Sequence, residues 1–212
     1  MANKILKLGT DPFPPYQYYL EDGSIAGLDY DYVKKVFDQM GYGIDVTIKD
    51  WHEIQAVLDV KGYDAAFQVS KTPERELRYI FSEPFRYAVT ELVTSRDDMK
   101  LDSLQQVIDQ GLVIGVMAGY TNGDEIDALP DVCKKSYITT ESLVEALSKG
   151  EVELGVVDKG VKEFHMKSMG IDNLYTLDKF TFDRSLHVIF FDPVLCEEFN
   201  RAMAVLRQED AT

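Results

Sequence analysis

Apolar residues along the chain fall into two patterns, short continuous runs and stripes at helical spacing. The runs "ILKLGT" (5–10), "IDVTI" (44–48) and "YDAAFQV" (63–69) have the length and composition of strands, and the last is apolar enough to be buried. Between them, Val33, Val36, Phe37 and Met40 mark a helix from about Asp29 to Met40 that Gly41 closes. Ile54, Val57 and Leu58 mark a second helix, which Asp50, with Glu53 three residues on, would start as a capping box and Gly62 would end. The segment "DPFPPYQYYLEDGS", rich in proline and aromatics, reads as a loop entering a hairpin at Asp22-Gly23. Thr72 followed by Pro73 is a further helix start, with threonine as N-cap and proline in the first turn.

The same grammar recurs further on. Ser103 caps a short helix carrying Leu104, Val107 and Ile108 that ends at Gly111. "LVIGVM" (112–117) is a strand running into the loop "AGYTNGDE", and another strand follows near Val132 to Tyr137. Thr140 starts a helix with Leu143, Val144 and Leu147, ended by Gly150. "VELGVV" (152–157) is a buried strand that delivers Asp158 to a helix ending at Gly170. Last come a strand, "SLHVIFF" (185–191), and a helix started by Asp192-Pro193 and striped with Leu195, Phe199, Met203 and Leu206. Strands alternating with helices predict an α/β fold with a largely parallel sheet.

Composition narrows the function classes. A chain of 212 residues makes one large domain or two small ones. No run approaches the ~18 apolar residues of a membrane span, and "MANK" lacks the apolar region of a signal peptide. The chain is therefore expected to be cytoplasmic, or exported with its signal removed. The net charge of 22 − 37 = −15, with no basic stripe, argues against nucleic acid as a partner and reads as solubility. Cys133 and Cys196 form no CxxC pair, and His52, His165 and His187 have no ligand spacing, so neither a metal site nor a cofactor is expected. Cys196 reads as core, Cys133 as core or strand.

Open α/β sheets bind ligands beyond the carboxyl ends of their strands. Those ends carry Asp11, Phe13 and Tyr16, then Asp50 and Trp51, then Ser70, Thr72 and Arg75; in the second half they carry "AGYT" and Asp158. Arg75 stands in the first turn of its predicted helix, where the dipole disfavours a cation. An incoming carboxylate would resolve that conflict, because a guanidinium grips it bidentately and the free N–H groups of the turn add to the grip. Pairing with Glu74 or Glu76 at the surface explains the same residue equally well. Asp158 reads as an ammonium partner or as an N-cap. Trp51, Phe13 and Tyr16 read as ligand walls or as core, and the proline-rich context of Phe13 and Tyr16 favours exposure.

Together these segments resemble a known family. "LGTDPFPPYQY", "GLDYDYVKKVFDQMG", "DWHEIQAVLDVKGYDAAF", "VSKTPERELRYIFSEPF", "IGVMAGYT" and "SLVEALSKGEVELGVVD" are similar, in order, to segments of the periplasmic solute-binding proteins of family 3, which serve polar amino-acid ABC transporters. "VSKTPERELRYIFSEPF" is the most specific piece. The resemblance implies a type II periplasmic-binding-protein-like fold: two α/β lobes, two crossover strands, and ligand in the cleft between lobes. Lobe one would comprise residues 1–88 and 183–212 and lobe two residues 89–182, with Cys133 and Cys196 in different lobes and no disulfide expected between them.

It also implies roles. Arg75 would grip an α-carboxylate, flanked by Ser70 and Thr72, with Thr121 capping it from lobe two. Asp158 would take the α-ammonium, Trp51 and Phe13 would sandwich the ligand, and Asp11 would meet its side chain. Lys71, Tyr120, Gln68 and Met117 depart from the family pattern, so Gln68 and Met117 join the ligand-binding candidates as an altered side-chain pocket. The family's C-terminal "DGTYxxIxxKW" is missing, so the chain is either a short member or continues further. The expected protein is a non-enzymatic, monomeric binding protein, periplasmic or extracellular, either free or tethered to a membrane. It would capture an α-amino acid by flytrap closure for an ABC permease; Asp11 and the acidic surface point to a cationic one. Two alternatives stand beside it: the sensor domain of a membrane-anchored histidine kinase or cyclase, and a dehydratase-like periplasmic enzyme on the same fold.

Overall fold

The computed structural model describes residues 4–209. The chain runs β1 (Ile5–Thr10), β2 (Tyr18–Tyr19), β3 (Ile25–Ala26), α1 (Leu28–Gln39), β4 (Gly43–Ile48), α2 (Trp51–Asp59), β5 (Ala65–Ser70), α3 (Pro73–Glu76) and β6 (Ile80–Phe81). It continues through β7 (Arg86–Thr94), α4 (Gln105–Asp109), β8 (Ile114–Met117), α5 (Asp124–Asp127), β9 (Lys134–Tyr137), α6 (Thr140–Ser148), β10 (Leu154–Asp158), α7 (Lys159–Met169), β11 (Tyr175–Phe190) and α8 (Pro193–Glu209). It divides into two compact units: residues up to Tyr87 together with those from Ser185 onward, and Ala88–Arg184.

In the first unit, β1 lies parallel between β4 and β5, and the end of β11 runs antiparallel to β5 and β6. Leu6 and Leu8 of β1, Ala65 and Phe67 of β5, and Val188 and Phe190 of β11 meet the stripe Val33, Val36 and Phe37 of α1 and the stripe Cys196, Phe199 and Met203 of α8. Phe37 lies 5.2 Å from Phe199 and 6.4 Å from Phe190, ring centre to ring centre. Each such buried ring contributes roughly 1.5–3 kcal/mol.

The pairing of β5 with β11 is interrupted. Val69 faces His187 and Ala66 faces Ile189, so Phe67 and Gln68 share one partner residue, a β-bulge. Gln68 sits in it at φ 64°, in the left-handed region that a non-glycine residue rarely adopts.

Local signals are partly displaced from where the sequence puts them. Helix α1 starts at Leu28 behind Gly27, whose φ of 129° suits glycine and whose added Cβ would lie 2.2 Å from the Tyr16 carbonyl oxygen. Asp50 holds the N-cap position of α2, but its side chain makes no capping bond, and Glu53 instead pairs with Lys49 at 3.2 Å. The capping box is therefore not formed. Thr72 does cap α3, its hydroxyl accepting from the Arg75 N–H at 3.2 Å.

In the second unit, β8 is parallel to β9 and β10, and β10 is antiparallel to β7. Ile114, Val116, Leu154 and Val156 face one core with Leu92, Val107 and Ile126; Met117 and Val157 face another with Leu143, Val144 and Leu147. A sheet covered on both faces explains why these strands read as unbroken apolar runs. Ser103 caps nothing: α4 starts at Gln105, and Gln106 Oε1 accepts from the N–H groups of Asp102 and Ser103. Thr139, not Thr140, caps α6, and Val132 belongs to a single 3-10 turn before β9. Both cysteines are buried and free. A buried polar cluster ties α7 to β7 and β11: Lys162 donates to Glu91 and, at 2.8 Å, to Thr176 Oγ1.

Candidate functional site

The parallel strands β1, β4 and β5 end side by side, and the segments that follow carry Asp11 and Phe13, Trp51, and Ser70, Thr72 and Arg75. Helix α3 is a single turn of four residues, so Arg75 belongs to its last turn as much as to its first. The conflict with a helix dipole that the sequence suggests does not arise, because so short a helix has little dipole. What positions Arg75 is the turn itself. Its guanidinium donates to the Ser70 carbonyl at 2.9 Å and lies 5.1 Å from the Trp51 ring centre. Burial works against the guanidinium's charge and pulls its pKa below the ordinary arginine value, while the Asp11 carboxylate works the other way. Five N–H donors in a planar fork leave room for a carboxylate beside the Ser70 contact. Lys71 is directed elsewhere: its Nζ pairs with Glu76 at 2.7 Å and lies over the Phe81 ring.

The aromatic loop is fixed from behind. Phe13 stacks on Tyr16 at 5.9 Å, Arg86 lies 3.6 Å over the Tyr16 ring, and Arg86 Nε reaches both oxygens of Asp29 at 2.8 and 3.0 Å. Phe13 is consequently buried, against the exposure its proline-rich context suggests, and Trp51 is buried as well. Sequence reasoning missed the polar network beneath this edge. Gln17, fully buried, places Nε2 within reach of the Asp11 carbonyl at 3.1 Å, Thr10 Oγ1 at 3.3 Å and Gln68 Oε1 at 2.5 Å. Gln68 Nε2 is buried with no hydrogen-bond partner among the described residues. Backbone strain and an unsatisfied amide thus coincide on one residue, a combination that marks functional positions.

In the second unit, Met117 and Asp158 end the adjacent parallel strands β8 and β10. Met117 is buried, its sulfur accepting from Thr140 Oγ1 at 3.8 Å. Thr121 is half-buried in the segment after β8, between Tyr120 and Asn122, and Asn122 is held by Asp127 through its backbone at 3.0 Å and its amide at 2.9 Å. Asp158 does cap α7: Oδ1 accepts from the N–H groups of Gly160 and Val161 at 2.9 and 3.2 Å. Its Oδ2 accepts from Arg184 Nη2 at 3.2 Å, a partner that nothing in the local sequence pattern announces.

The two units with their mixed sheets define a type II periplasmic-binding-protein fold. The sequence profile of the bacterial extracellular solute-binding proteins, family 3, matches residues 6–211, and the chain belongs to that family. A probable amino-acid-binding protein of Bacillus subtilis, YxeM, is 22% identical over 90% of this chain and 74% of its own length. An ancestral arginine-binding protein bound to arginine superposes with a TM-score of 0.85 at 20% identity, covering 99% of this chain and 95% of that one. A histidine kinase sensor domain with similarity to periplasmic binding proteins gives the same TM-score at 16% identity, covering 99% and 92%. Likeness at these identities shows the fold alone. The chain spans between 41 and 74% of the length of the curated amino-acid-binding relatives it matches.

Proposed function

We propose that this chain is an extracytoplasmic solute-binding protein that captures an α-amino acid for uptake through a membrane ABC permease, without chemistry on the ligand. The observation that carries the reading is Arg75: a half-buried guanidinium at the strand ends of the first unit, held on the Trp51 face and by the Ser70 carbonyl, with a bidentate edge left over. Thr72 orders the turn that presents it. Asp11, Phe13 and Gln68 form the side-chain end of the site in this unit; Asp158, Thr121 and Met117 are the contributions of the second unit, with Asp158 toward the ammonium. Burying both ends of a zwitterion against opposite charges gives selectivity, because a lone buried charge is costly.

The fold serves sensing as well as transport, as the kinase sensor domain illustrates. Family membership and relatives described as amino-acid-binding or transporter-binding proteins favour transport. The deciding experiment is a thermal-shift screen of the proteinogenic amino acids against wild type and Arg75→Ala. One or a few amino acids are expected to stabilise wild type and not the variant. No shift with any of them, or an undiminished shift in Arg75→Ala, rejects the reading.

A further inference from the structure

We propose that Asp158 is a cation subsite that this protein fills for itself: the Arg184 guanidinium is its resident cation, and an ammonium-bearing ligand must displace Arg184 to bind there. The ammonium role of Asp158 rests on the function proposed above; the resident cation does not.

The Asp158 side chain is 1% exposed and engaged at both oxygens. Oδ1 is taken by the first backbone N–H groups of α7 and Oδ2 by Arg184. A buried carboxylate needs a counter-charge, and Arg184 supplies one. The geometry suits exchange rather than a permanent lock. Arg184 Nη2 reaches Asp158 Oδ2 at 3.2 Å, longer than the ~2.7–2.9 Å of a strong charge-assisted bond. The Arg184 side chain keeps 21% exposure, so solvent can receive it when it swings off. Two cations on one carboxylate oxygen repel, which makes the arginine and an ammonium alternatives.

Arg184 is also the last residue of the second unit, with Ser185 beginning the return to the first. Displacement therefore frees a side chain where the chain passes from one unit to the other. Arg184 is in this sense a specificity-determining residue. It weakens the grip on zwitterions and leaves simple carboxylates, which need no exchange, unaffected.

The test uses methylammonium as probe, read by NMR through the amide signals of Gly160 and Val161. In Arg184→Ala and Arg184→Gln, methylammonium is expected to move both signals saturably, with an affinity about tenfold or more above wild type, the order expected of one charged hydrogen bond. Adding Asp158→Asn is expected to abolish the effect. Two arginine variants guard against one that fails to fold, which circular dichroism would reveal. If both folded variants respond to methylammonium no better than wild type, Arg184 is not a resident cation and the proposal falls. The same variants are then screened against the proteinogenic amino acids, where tighter binding than wild type is expected. A positive methylammonium result with no amino-acid binding in any variant would uphold the resident cation and reject the α-amino-acid reading instead.

Discussion

Arg75 folds back on its own turn: its guanidinium donates to the Ser70 carbonyl, five residues earlier, at 2.9 Å. The side chain is thereby held by the protein's own backbone, with little rotamer freedom left to lose on binding.

Arg75→Lys tests the planar fork separately from the charge. Lysine retains the charge but loses the bidentate geometry, so affinity for the bound amino acid is expected to fall about tenfold to a hundredfold. Calorimetric titration measures this directly, and a lysine variant with wild-type affinity would refute a bidentate grip.

The Asp29–Arg86 pair that braces the aromatic loop is buried, with side chains 3% and 17% exposed. Removing one partner strips a buried ion of this counter-charge, so Asp29→Asn and Arg86→Gln are each expected to destabilise by about 3–5 kcal/mol in urea unfolding. The double variant is expected to cost much less than the sum. Additive losses would mean that the two groups act independently.

His187 gives the fold an acid sensitivity. Burial depresses its imidazole below the ordinary value of 6.5, opposed by its bond to the Ser82 carbonyl. The native state then binds fewer protons than the unfolded chain. The stabilisation is complete above pH 6.5 and is lost as pH falls from there through the depressed native pKa. His165 is shifted the same way, again by burial. Unfolding midpoints in urea are expected to drop as pH falls below 6.5, and less steeply in His187→Gln. Equal slopes in the two proteins would place the sensitivity elsewhere.

Gln68 stands where glycine would be relaxed. Gln68→Gly is expected to be more stable than Gln68→Ala by about 1 kcal/mol, the reverse of ordinary strand preference. If alanine proves the more stable in thermal unfolding, the bulge is unstrained.

The both-face-buried strands β5, β8 and β10 were legible because their apolar runs need no partner to be recognised, and the edge that carries Arg75 followed from strand order alone. Thr72-Pro73 likewise announced a cap that forms. Strand β7 and the first half of β11 were not legible: in "YTLDKFTFDR" Phe180 alone is buried, and the residues around it are exposed or half-exposed. Caps slipped by a residue where two candidates adjoin, as at Thr139 and Thr140. The contacts that shape the site were invisible for a different reason. Gln17 meets Gln68 across 51 positions and Arg184 meets Asp158 across 26, and such pairings leave no local periodicity to read.

Phe199, Met203 and Leu206 complete the first unit's core from helix α8, which follows the whole of Ala88–Arg184 in the chain. The unit that begins first in the chain is therefore the last to have all of its core residues. The second unit can close as soon as its own residues are available, whereas the first keeps apolar surface open until α8 arrives.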